Sequence, residues 1–193
     1  MSNSAKFDRL QVIEKATQLY WQRGYHATSM RNLQDAINMR PGSIYAAFGS
    51  KDGVFKEALE HYAQQSLAGL SRARQQHSSP LAALKQMIHD TVVESRKDAP
   101  SCLCMLAKTV AELTEDQAEL LSLAKHKLKR IEQGFAELLS EAQQQGEIGS
   151  EYDVDQLAQY VQVQIMGLRS YGKANDDAPL ERMVEQMFER YLA

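Results

Sequence analysis

Apolar residues recur at three- and four-residue steps along most of the chain, the period of a helix with one buried face. Leu10, Ile13, Ala16 and Tyr20 form one such stripe, and Phe55, Ala58, Leu59 and Tyr62 another. A longer series runs through Leu121, Ala124, Leu128, Ile131, Phe135, Leu138 and Ala142. The last holds Leu180, Met183, Val184, Met187, Phe188 and Tyr191. Breaks fall at Gly24, Pro41-Gly42, Gly49, Ser78-Ser79-Pro80, Pro100, Gly146 to Gly149 and Gly172 to Pro179. No run alternates apolar and polar residues between hairpin turns, so strands are not expected. The pattern predicts an all-α chain of about nine helices, near 6–23, 29–37, 41–47, 51–76, 81–97, 102–111, 115–145, 153–173 and 179–192.

The eighth helix stands apart. Val154, Leu157, Ala158, Tyr160, Val161, Val163, Ile165, Met166, Leu168 and Tyr171 leave it little polar face. A helix apolar nearly all round needs cover on both sides. In a chain this small a second copy supplies it, which predicts a homodimer through 153–173 and 179–192.

Charge separates the chain into two parts. The total is −3, but residues 1–60 carry 8 basic and 6 acidic groups, and residues 61–193 carry 14 and 19. A mildly basic head on an acidic body suits two different tasks. At 44% hydrophobic and 24% charged residues, the composition is that of an ordinary globular protein. No apolar run reaches the length of a membrane span, and residues 1–8 hold no apolar signal core. The expected location is the cytoplasm, with no membrane partner.

The head carries the clearest chemistry. Gly24 suits the end of the first helix, and Thr28 is placed to cap the second. Met30, Leu33 and Ile37 turn inward, Asn38-Met39-Arg40 makes a turn, and Pro41 opens a short third helix with Ile44 and Phe48 buried. Ser50 is placed to cap the fourth. Two short helices joined this way (29–48) describe a helix-turn-helix, whose second helix meets the major groove by its N-terminal end. Arg40 suits a guanine edge or a phosphate, and Ser43 and Tyr45 suit phosphates or base edges. Pro41 and Gly42 shape the tip. Thr28, Ser29 and the free amides behind them suit one phosphate, and Lys51 another.

Residues 6–60 resemble the N-terminal domain of the TetR family of bacterial transcriptional regulators. The resemblance rests on Gly24-Tyr25, Thr28, Met30-Arg31, Leu33, Gly42-Ser43-Ile44-Tyr45, Phe48, Ser50-Lys51 and Phe55. Gly49 and Ala46-Ala47 depart from residues common in that family. The resemblance implies a DNA-binding domain over 6–66 and a regulatory and dimerisation domain over 67–193. It also implies a repressor that grips a pseudo-palindromic operator as a homodimer and lets go when an inducer binds.

The C-terminal part holds both cysteines, Cys102 and Cys104, too close in sequence for an unstrained structural disulfide. Cys104 to Glu112 resembles the Cys-Leu-x-x-Lys-x-x-Ala-Glu stretch of the electrophile-responsive NemR-type branch of the family, with Met105 in place of Leu and Cys102 additional. That resemblance implies a sensing cysteine at 104, with Lys108, Lys173 and Cys102 as accessory groups. A small buried thiol serves equally as core packing. Met87, Met105, Phe135, Tyr160, Met166 and Tyr171 are candidates for lining a noncovalent ligand pocket, or for ordinary core. Cys-x-Cys with His89 or His126 offers a metal reading, though the histidines lack ligand spacing, and no cofactor is implied. No nucleotide, nucleophile-elbow or zinc-protease motif occurs, which argues against an enzyme and leaves a bare helical interaction module as the other class.

Overall fold

A computed structural model describes residues 8–191, with side chains as far as Glu189. The described residues form ten α-helices and no strand. They are α1 (Arg9–Arg23), α2 (Met30–Ile37), α3 (Pro41–Phe48), α4 (Lys51–Gln76), α5 (Pro80–His89), α6 (Ser95–Asp98), α7 (Met105–Glu112), α8 (Ala118–Gln144), α9 (Val154–Ala174) and α10 (Leu180–Tyr191). A π-helical turn, Asp90–Glu94, joins α5 to α6 without a break. Counted as one rod they match the predicted fifth helix, giving nine helices among the described residues.

Side-chain caps fix most of the starts. Asp8, Ser29, Ser50, Ser79 and Asp153 each accept a backbone amide of the helix they precede. Such a cap is worth about 1 kcal/mol. Asp8 therefore starts the first helix at Arg9. Residues 6 and 7, which the sequence pattern included, lie outside the described residues, as do residue 192 and the side chain of Tyr191.

Three further readings need correction. Leu10 is exposed, because Val12 and Thr17 carry the buried stripe of α1 and turn it away from that position. The seventh helix is preceded by a separate 3-10 turn, Glu115–Gln117. The sixth begins at Met105, not at 102. Three successive carbonyls before it are claimed by side chains from elsewhere. Arg169 donates to the Ser101 and Cys102 carbonyls, and Trp21 Nε1 to that of Leu103 at 2.6 Å. Carbonyls held this way do not line up with helical amides. Cys102 and Cys104 therefore lie in a loop, unbridged, with Cys104 at the helix cap.

A single apolar core runs through the molecule. In the head α1 and α3 pack on α4 while α2 packs on α1 and α3, and in the body α4 packs against α5 and α8. The predicted boundary at 66/67 thus falls inside one continuous helix. On α9 only one face is covered, by Ala158, Val161, Ile165 and Leu168 among others, while Val163, Met166 and Tyr171 are exposed.

Candidate functional site

The reading head is built from caps. Ser29 Oγ accepts the Asn32 amide at 3.1 Å, and the Asn32 side chain accepts the Ser29 amide in return at 3.1 Å. This capping box assigns the cap to Ser29, correcting Thr28. The Thr28 side chain is fully buried and its hydroxyl donates to the Gly24 carbonyl at 2.6 Å. A phosphate at the start of α2 would therefore meet Ser29 and backbone amides, not the Thr28 hydroxyl. Asn38 takes the left-handed conformation (φ 54°) that tightens the turn, and Arg40 then caps α3 with its backbone alone.

Beyond the turn, one surface of α3 is free. Ile44 and Phe48 are buried, whereas Arg40, Pro41, Gly42, Ser43, Tyr45 and Ala46 are exposed, Tyr45 at 52%. Nothing lies within 4 Å of where a Gly42 side chain would sit, so the bare backbone faces open space. The far end of α3 is anchored by Arg9. Its guanidinium lies 4.5 Å above the Phe48 ring, donates to the Ala47 carbonyl at 3.3 Å and pairs with Glu57. The exposed tip is thus held on a rigid frame, as recognition of a groove requires.

Lys51 is less free than its sequence position suggests. Its ammonium donates to the Tyr25 carbonyl at 2.7 Å and lies 4.0 Å above the Tyr25 ring. Burial lowers its pKa. The Tyr25 phenol bonds Asp52; burial, then that hydrogen bond, pushes its pKa up to about 12. Lys51 acts first as a brace between the α1–α2 turn and α4.

A second site lies in the body. A cavity of about 370 Å³ opens between α4, the α5–α6 rod, α8 and α9. Its walls include Leu70, Met87, Leu128, Ile131, Phe135, Ile165 and Met166, with Gln65, Ser66, Thr91, Ser95 and Gln162 as polar points. Trp21, Tyr62, Cys104 and Arg169 complete the lining. Of the six pocket candidates, Met87, Phe135 and Met166 line this space. Met105 is packed in the core, Tyr160 packs against it, and Tyr171 is exposed. Those three do not line the cavity, because α7 and α9 turn these positions away from it.

The basic residues also sit differently from the sequence reading. Lys108 donates to the Gln22 carbonyl at 3.0 Å, at the end of α1, and burial lowers its pKa. Lys173 is exposed at the end of α9. The cation near Cys104 is Arg169, which sequence reasoning missed. It donates to the Tyr62 hydroxyl at 3.5 Å, and Tyr62 interacts in turn with Cys104. Burial first, then the neighbouring Cys104, holds the Tyr62 phenol protonated well above its usual range. The available signal was one charge inside an apolar turn, Ile165 to Arg169. Among the described residues, no three His, Cys, Asp or Glu groups gather as a metal site. His89 lies 4.0 Å from both Asp90 and Glu181.

Cavity and head are physically joined. Glu112, at the end of α7, accepts the Tyr25 amide at 3.0 Å and the His26 amide at 2.7 Å, inside the α1–α2 turn. With Lys108 and the bond from the Trp21 indole to the Leu103 carbonyl, this makes three ties between the head and the segment formed by α7 and the loop before it. Cys104, on the cavity wall, is the N-cap of that same helix.

The comparisons agree with this arrangement. Residues 12–58 match the model of bacterial regulatory proteins of the tetR family, and residues 80–187 match that of the tetracyclin repressor-like C-terminal domain. The chain is 26% identical over 188 residues to the HTH-type transcriptional repressor ComR of Escherichia coli (strain K12), covering 93% of this chain and 85% of that protein. Over 57 residues, 30% of this chain and 29% of that protein, it is 40% identical to the HTH-type transcriptional repressor BdcR of the same strain. A cysteine mutant of the TetR family regulator CifR, complexed with 26bp double-strand operator DNA, superposes with a TM-score of 0.85 at 26% identity, covering 98% of this chain and 100% of that one. An exposed α3 tip on a capped helix-turn-helix that the first family model covers, fused to an all-helical body that the second covers, places the chain in the TetR family of DNA-binding transcriptional regulators, which are not enzymes.

Proposed function

We propose that this chain is a cytoplasmic homodimeric repressor, with a reading head over 6–66 and a regulatory body over 67–193. It leaves a palindromic operator when a small molecule enters the cavity beside α4. The observation that carries the reading is the set of ties from the cavity wall, through α7 and the loop before it, to α1 and the turn in front of the reading helices. A ligand that shifts α4 or α7 moves α3 against its DNA groove. The names of ComR and BdcR, both repressors, and the operator complex of CifR support the same direction of control.

In this reading Arg40, Ser43 and Tyr45 meet the major groove and the Pro41-Gly42 backbone approaches the phosphates. Ser29 and the first amides of α2 hold a flanking phosphate. Genomic footprinting with the purified protein identifies the operator. Arg40→Ala and Tyr45→Ala should then each weaken its retention, with about 1–3 kcal/mol lost per half-site where a base contact is removed. Unchanged retention in both variants would refute the assignment of α3 as the reader.

The dimer face is assigned to α9 with α10. Val163, at 63% exposure, Met166 and Tyr171 with the bare Gly167 make an apolar strip that a second copy would cover. Val163→Glu should shift the protein to a monomer by sedimentation and abolish cooperative operator binding. A Val163→Glu protein that remains a dimer would move the interface elsewhere.

Cys104 favours a second, covalent reading of induction, because its half-buried thiol opens on the cavity beside Tyr62. The thiolate sulfur would add to an electrophilic carbon such as that of N-ethylmaleimide, with a proton taken up at the neighbouring carbon. Treatment should release the parent protein from operator DNA and spare Cys104→Ser. Equal release of both would remove the thiol from the mechanism. Cys102, whose carbonyl is pinned by Arg169, is the accessory thiol in this scheme.

A further inference from the structure

Arg169 is 6% exposed, and its hydrogen bonds all run to neutral oxygens: the Cys102 carbonyl at 2.7 Å, the Ser101 carbonyl at 3.4 Å and the Tyr62 hydroxyl at 3.5 Å. Among the described residues it has no acidic partner. A buried cation without a counter-charge is costly, and proteins ordinarily pair it. The guanidinium has five donors in a planar fork, and three long or single bonds leave it under-used. It lines the cavity together with Tyr62 and Trp21, whose ring lies 5.8 Å from it.

The other charged groups on the lining do not neutralise it. Asp90 and Arg72 are both exposed. Asp90 is already engaged by Gln86 at 2.8 Å and by His89 at 4.0 Å. The floor of the cavity thus carries one unmatched positive charge beneath an apolar body formed by Leu128, Ile131, Phe135 and Ile165. One buried charge matches a monoanion, whereas a phosphate dianion would bring a second charge with no buried partner. A carboxylate fits the fork in bidentate fashion, and a volume of about 370 Å³ suits a small apolar tail.

We propose that the cavity binds amphipathic monocarboxylates, with Arg169 as the anchor for the carboxylate and Tyr62 as an added donor. The inference rests on the reading that an effector enters this cavity, and it names that effector's chemical class. Binding of the carboxylate draws the Arg169 fork away from the Ser101 and Cys102 carbonyls, which frees the loop leading into α7.

The test uses the full-length protein and its single tryptophan, Trp21, which lines the cavity and reports occupancy by fluorescence. Butyrate, octanoate, dodecanoate, benzoate and phenylbutyrate are titrated beside their primary amides. The expected result is that at least one acid binds about tenfold or more tightly than its amide. Arg169→Gln brings that ratio close to one, and Arg169→Lys keeps part of it. Amides that bind as well as every acid, or no acid that binds at all, overturn the proposal. If Arg169→Gln fails to fold, the parent's acid-to-amide ratio still decides. Operator retention is scored separately by footprinting without ligand, so a failed repressor reading and a failed carboxylate site give different results.

Discussion

Gly53→Ala should leave a protein that still forms its helical body but no longer holds operator DNA. Gly53 lies in the first turn of α4, and its amide donates to Ser50 Oγ at 3.1 Å. A methyl group there would overlap the carbonyl oxygen of Phe48, whose carbon would lie at 3.0 Å. The obstacle is backbone, so no side chain can rotate away. Either the end of α3 or the start of α4 must move, and both are fixed by the buried Phe48 and Val54. Overpacking of this kind costs about 1–3 kcal/mol or more. A chain of this size should then melt roughly 2–4 °C lower per kcal/mol. The damage is confined to the corner that aims α3, so DNA retention suffers more than stability. A variant with parental melting and parental operator affinity would show that the corner is soft.

Gly24→Ala should act on both stability and signalling. Gly24 has φ 89° and ψ 178°, a region that side-chain-bearing residues avoid at about 1–3 kcal/mol. Its methyl group would also meet the Glu112 carboxylate, with oxygens at 2.5 and 2.9 Å. Glu112 would have to swing off the Tyr25 and His26 amides, cutting a tie between α7 and the head. The expected outcome is a lower melting temperature and a repressor that binds its effector yet releases DNA poorly. Glu112→Ala removes the tie without the strain, and should reproduce the signalling defect with a smaller loss of stability. If Glu112→Ala responds to effector like the parent, the α7 ties do not carry the signal.

The head was legible in the sequence because its determinants are local. Caps, the Pro41 start and the Ile44 and Phe48 stripe each act within a turn or two of helix. Thr28 and Ser29 show where even that fails: both are good cap residues, and the reciprocal bond from Asn32 decides for Ser29. The cavity was only half legible. Met87, Phe135 and Met166 line it, but helical period alone does not tell a cavity wall from core, and Met105 shares the pattern of a wall residue while lying fully packed. Arg169 was hidden for a different reason. A lone arginine on a helix normally points to water, and its burial depends on the loop carrying Ser101 and Cys102, which is remote in sequence. Lys108 and Lys173 drew attention through a family resemblance; Lys108 instead holds the end of α1.

The π-helical turn between α5 and α6 has a consequence for which side chains share a row. Ser95 Oγ donates to the Thr91 carbonyl at 2.6 Å, and Thr91 Oγ1 to Met87 Sδ at 3.3 Å. All three residues line the cavity. In an uninterrupted α-helix, turning about 100° per residue, Ser95 would sit about 80° around the axis from Met87. The wider π turn advances less per residue and takes up that difference. The π turn thus absorbs one extra residue in the rod and keeps what would be a slanting row as a straight rail of weakly polar groups along the cavity. Losing a single residue between Asp90 and Glu94 would return the rod to a plain α-helix with Ser95 seven positions after Met87, about 20° around the axis from it, so the rail would survive that deletion, whereas straightening the π turn at full length would break it.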